Sequence, residues 1–113
     1  MGFNLNEKYN CVVLEFKGDV MGGPDAVALN DKLHELIDEG KKNIVVDLGG
    51  VKFMNSSGLG MLIGALTTMR KAGGDLRLAR ASEKIESLLI VTKLVTVFKN
   101  YKTLEEATNS FTE

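Results

Sequence analysis

Apolar positions recur along this chain at two different spacings. The run Cys11-Val12-Val13-Leu14-Glu15-Phe16 is rich in β-branched and aromatic residues, the composition of a strand, and a stretch around 3–8 can pair with it across Lys8–Asn10. Gly18-Asp19-Val20-Met21-Gly22-Gly23-Pro24 then interrupts any period. From about 25 to 39 the spacing becomes helical: Ala26, Leu29, Leu33, Leu36 and Ile37 fall on one stripe, Pro24 or Asp25 fits the start and Gly40 the end. Residues 44–48 (IVVDL) are a short apolar run that reads as a buried strand.

A connection from Gly49 to Asn55 leads into Ser56, where a second helix is expected to about 71, ended by Gly73-Gly74. Leu59, Leu62, Ile63, Leu66 and Met69 form its apolar stripe. DLRLA (75–79) alternates as a strand, Ser82 caps a short helix carrying Ile85, Leu88 and Leu89, and VTVF (95–98) reads as a last short strand. Thr103 to Glu106 spells a capping box that opens a final helix with Leu104, Ala107 and Phe111. Strands alternating with helices predict an α/β domain with a mixed sheet and about four packed helices.

The 113 residues suit one domain, expected over 1–113, and the 44% hydrophobic and 26% charged residues exclude a disordered chain. A net charge of −1 supplies no basic surface for phosphates, so no nucleic-acid partner is expected. One cysteine excludes an internal disulfide and a cysteine-built zinc site; Cys11 itself reads as an inert core thiol. The first ten residues lack a signal peptide's basic and apolar regions, and no apolar run approaches a membrane span. A soluble cytoplasmic protein is the expectation.

Candidate chemistry concentrates in Asn55-Ser56-Ser57-Gly58-Leu59-Gly60, a polar turn entering a helix. Orphan N–H groups and the macrodipole leave partial positive charge at such a point. A serine there can cap the helix, and a phosphoryl group there would be held rather than repelled. At about 100° per residue, Gly60, Gly64 and Thr67 lie to one side of the apolar stripe, and Met61, Ala65 and Thr68 opposite it. Two mid-helix glycines cost roughly 1 kcal/mol each, which close approach by another surface would compensate. That surface is either a docking partner or another helix of the same domain. Met61 on the polar side would be an adaptable apolar contact.

No catalytic constellation accompanies the serines. Met54 and Asn55 stand where G-x-S-x-G needs glycine, the single histidine His34 lies off the apolar stripe, and G-x-x-x-x-G-K-[ST] is absent. Asp19, Asp25, Asp47 and Asp75 are scattered, so no metal site is expected. Gly49-Gly50 and Gly73-Gly74 read as turn glycines.

The stretch V-V-D-L-x-x-V-x-F-M-N-S-S-G-L-G (45–60), followed by G-G-D-L-R-L-A (73–79) and I-E-S-L-L (85–89), resembles the signature of STAS-domain anti-sigma-factor antagonists. The resemblance implies a partner switch with no catalytic activity and no cofactor of its own. In the family, the serine after the acidic residue of D-S-[ST]-G is phosphorylated by an anti-sigma-factor serine kinase, and that position matches Ser56. The unphosphorylated form docks on the kinase and frees a sigma factor; a PP2C-type phosphatase resets the phosphorylated one. Asn55 stands where the family usually has Asp, and Met21 where many members carry an acidic residue. The expected docking surface is Met21, Asn55, Ser56, Ser57, Gly58, Gly60, Met61 and Gly64. The alternatives are an unphosphorylated STAS interaction module, with Ser56 only a cap, and an anion or nucleotide binder at the same helix start.

Overall fold

The computed structural model describes residues 1–112. The first strand β1 (Gly2–Glu7) turns through Tyr9-Asn10 into the antiparallel β2 (Val12–Lys17). Helix α1 (Pro24–Asp38) leads to β3 (Asn43–Gly50), α2 (Ser56–Lys71) to β4 (Asp75–Ala79), and α3 (Glu83–Val91) to the two-residue β5 (Asn100–Tyr101). Helix α4 (Leu104–Asn109) and a 3-10 turn over Ser110–Thr112 complete it. Spatial strand order equals chain order, with β2 through β5 parallel.

Alternation along the strands divides the core in two. Val12, Leu14 and Phe16 share a buried cluster with Ile44, Val46, Leu48, Leu76 and Leu78. Leu29, Leu33 and Leu36 of α1, Leu62 and Met69 of α2, and Ile85 and Leu89 of α3 cover that face. The residues between them, Cys11, Val13, Val45 and Ala79, meet Ala107 of α4 on the other face. Fully burying such Leu, Ile or Val side chains stabilises by roughly 1.5–3 kcal/mol each, and the buried run Ile44–Leu48 gains from both faces at once. Cys11 is buried as expected, and that burial raises its pKa against the weaker opposing pull of Lys8.

Local signals explain the boundaries. Pro24 opens α1, and Gly40 ends it at φ +80°. Ser82 Oγ accepts from the Ile85 N–H and Thr103 Oγ1 from that of Glu106, so both expected caps form. Arg77 is held between Asp75, the Ser110 hydroxyl and the Phe111 ring, 4.0 Å from its centroid, which ties the last turn to the sheet.

The expected strand at 95–98 does not form. Leu94–Thr96 is a 3-10 turn, Val95 and Val97 are exposed, and the pairing strand lies at Asn100–Tyr101. The apolar residues at 95–98 alternate too briefly to distinguish a strand from a turn with one anchor, and Phe98 alone is buried. Phe111 falls in the 3-10 turn beyond α4.

A candidate partner-docking site at the start of α2

The loops after β2 and β3 meet beneath the start of α2. Val20 and Met54 form a parallel bridge; the Val20 N–H donates to the Phe53 carbonyl (3.0 Å) and the Asn55 N–H to the Val20 carbonyl (3.3 Å). Two glycines permit the close approach. A Cβ on Gly58 would overlap the Val20 carbonyl oxygen, and one on Gly22 (φ +81°) would stand 2.8 Å from Ser57 Cβ. Met21, between Val20 and Gly22, is 45% exposed beside this contact.

The helix cap is Asn55, one residue before the expected serine caps. Its backbone is extended (φ −98°, ψ −178°), so its Oδ1 accepts from the Gly58 N–H at 2.8 Å while its carbonyl takes the Leu59 N–H at 2.9 Å. Ser56 and Ser57 are therefore the first two helical residues, both exposed. Among the described residues neither hydroxyl bonds to another group of the protein.

Farther along α2 the apolar face is rotated from the expected one. Met61 and Ala65 are buried, whereas Ile63 is 37% exposed. Helix α1 packs against the Met61 side, so Met61 is covered by its own domain rather than displayed on a polar face. It lies in an interhelical groove of about 370 Å³ with Leu29, Leu33, Gly60, Gly64 and Ala65. Gly60 and Gly64 are exposed, with open space where a Cβ would stand. Met21, Asn55, Ser56, Ser57 and Gly58 thus form one platform, and Gly60, Met61 and Gly64 belong to a groove along the same helix.

Two neighbouring features were missed by the sequence reading. Asp47, 2% exposed, accepts from the Gly49 N–H (2.9 Å) and forms an ion pair with Arg80, whose Nε lies 3.0 Å from Oδ1. The Arg80 guanidinium lies across Gly49, where a Cβ would overlap it, so this glycine serves close approach rather than a turn. The pair anchors the end of β3, from which the connection to Ser56 departs. An Asp inside an apolar run was its available signal. Phe53, 39% exposed, has the Lys84 ammonium 5.4 Å from its ring centroid and lines an apolar groove of about 290 Å³ with Leu88 and Val91.

His34 is exposed on α1. Among the described residues no three His, Cys, Asp or Glu side chains stand close enough to hold a metal ion, and no helix is long and apolar enough to cross a membrane.

The STAS domain profile matches residues 3–107. The anti-sigma-B factor antagonist of Bacillus subtilis is 34% identical over 76 residues, 67% of this chain and 66% of that protein. Two Thermotoga relatives, at 30% and 32% identity, are matched over 65% of their length. The crystal structure of the Thermotoga maritima protein TM1081 superposes with a TM-score of 0.88 at 23% identity, covering 98% of this chain and 95% of that one. The anti-sigma factor antagonist SpoIIAA matches at 0.71 unphosphorylated and 0.73 phosphorylated, at 21% and 22% identity; each match covers 96% of this chain, and 96% and 98% of the respective SpoIIAA chains. With its five-stranded mixed sheet, four helices and this near-complete profile match, the chain belongs to the STAS domain family, whose members similar to it include anti-sigma factor antagonists.

Proposed function

We propose that this protein is an anti-sigma factor antagonist that docks on an anti-sigma factor through the platform around Ser56, and that phosphorylation of Ser56 ends the docking. The partner's kinase activity would transfer the γ-phosphoryl group of ATP to the Ser56 oxygen with release of ADP, and a PP2C-type phosphatase would hydrolyse the ester. The chain itself would contribute an acceptor and a surface, not catalysis.

The observation that carries this reading is the position of Ser56: exposed, first in α2, with its hydroxyl free because Asn55 supplies the cap. A phosphoryl group there adds about −1.5 to −2 charges, and the helix dipole favours it by roughly 0.3–1 kcal/mol. Asn55 adds no carboxylate to oppose it. The domain therefore tolerates the charge, while a partner face closed over it must desolvate it. A loss of about 4 kcal/mol would weaken docking roughly a thousandfold.

The test is titration calorimetry with the cognate anti-sigma factor. Ser56→Ala should bind as the unmodified protein does, and Ser56→Asp should lose most of its affinity. Equal affinity for the two variants would overturn the switch.

A further inference from the structure

We propose that two copies of this chain associate through β1, edge to edge and antiparallel, with Leu5 on the two-fold axis. The inference is separate from the docking reading, since β1 contains no residue of the Ser56 platform.

The open edge can be read residue by residue. The Lys8 N–H donates to the Cys11 carbonyl at 2.8 Å, and the register pairs Glu7 with Val12, Asn6 with Val13 and Asn4 with Glu15. In an antiparallel ladder alternate residues direct their backbone groups to opposite sides. The backbone groups of Asn6, Asn4 and Gly2, like those of Lys8, therefore point at β2. Those of Phe3, Leu5 and Glu7 point away, to an edge that no other strand covers.

Sheet edges are usually blunted by proline, lysine, a bulge or extreme shortness. The opposite edge, β5, has two residues. By contrast β1 has six, pairs with β2 in unbroken register, and contains no proline or lysine and one charge, Glu7.

The strand is also complementary to itself. A two-fold axis relating two edges stands perpendicular to the sheet and preserves its faces, so residues of like parity oppose each other. Centred on Leu5, the outward-facing residues pair as Leu5 with Leu5 and Phe3 with Glu7, each pair exchanging two backbone hydrogen bonds. Leu5, 42% exposed, is then covered by its counterpart, and Asn4 opposes Asn6 on the other face. Each Glu7 keeps its Lys41 partner (2.7 Å) at opposite ends of the joint, so like charges do not meet. Six residues bury less than the roughly 1,000 Å² of a durable interface, so the dimer is weak and concentration-dependent.

Sedimentation velocity from about 10 μM to about 1 mM, a range spanning weak association, tests this. The sedimentation coefficient should rise toward a dimer, and the amides of Phe3, Leu5 and Glu7 should gain hydrogen-exchange protection with concentration while those of Asn4 and Asn6 are protected throughout. Leu5→Pro removes an N–H that β2 does not use, and Leu5→Lys places a charge on the axis; each should hold the chain monomeric with unchanged circular dichroism. A monomer across the range, or a dimer that survives both substitutions, would overturn the proposal.

Discussion

The carbonyl oxygen of Val20 occupies the space that a side chain on Gly58 would need. Helix α2 begins at its present height above the sheet only because residue 58 has no Cβ. Gly58→Ala must lift the helix start or displace the loop, at a cost of about 1–3 kcal/mol typical of overpacking. Urea denaturation should show the loss, and affinity for the proposed anti-sigma factor partner should fall with it.

Gly60 and Gly64 give the opposite result. An added methyl meets nothing at either position, so Gly60→Ala and Gly64→Ala should each stabilise α2 by about 0.5–1 kcal/mol. If a partner covers this stretch, the same methyls weaken its binding. Stability and affinity moving in opposite directions, read by denaturation and calorimetry on one pair of variants, would mark the glycines as interface residues.

Asn55→Ala removes the acceptor for the Gly58 N–H and should cost about 0.5–2 kcal/mol. Asn55→Asp adds a carboxylate and keeps the cap. It should match the parent protein in urea, which would separate the capping role of position 55 from any role of its charge.

Acid should release one defined anchor. Burial would raise the Asp75 carboxyl, but the Leu76 N–H and the guanidiniums of Arg77 and Arg70 outweigh it and hold its pKa below the usual carboxylate value. A depressed folded-state pKa gives stability that is present above the unfolded value of about 3.9 and lost as pH falls through the folded one. Asp75→Asn should therefore be less stable than the parent at neutral pH, with the difference closing below about pH 4. A difference constant from pH 7 to pH 2.5 would count against this assignment.

What the sequence made legible follows from how each signal arises. Helix α2 was readable to its bounds because its apolar period is long and its ends carry polar and glycine punctuation. Its buried face was misjudged by one row: the sequence cannot say that α1 lies over Met61 rather than Ile63, since that depends on how two helices cross. By residue type a serine and Asn55 are equally good caps, and the extended backbone at Asn55, whose N–H donates to the Val20 carbonyl, decides between them. Asp47 inside an apolar run signals a buried partner, but which one depends on β4 lying beside β3, which brings Arg80, just past the end of β4, to its carboxylate. The stretch around Ser56 stands out in the sequence through its resemblance to a family, whereas the physical reason for Gly58 requires Val20 to be in place.

Chain order and spatial order coincide across the five strands, and α1, α2 and α3 stack on one face, as right-handed crossovers progressing in one direction require. No strand has to thread between two that already pair. As the polypeptide leaves the ribosome, each new β–α unit can add to the growing border of the sheet, and an N-terminal fragment is a shorter version of the final layer rather than a differently wired one. Assembly is then directional, like laying planks from one side. A pause in synthesis after β3 would leave the hydrogen-bonding border of that strand waiting for the one strand that follows it.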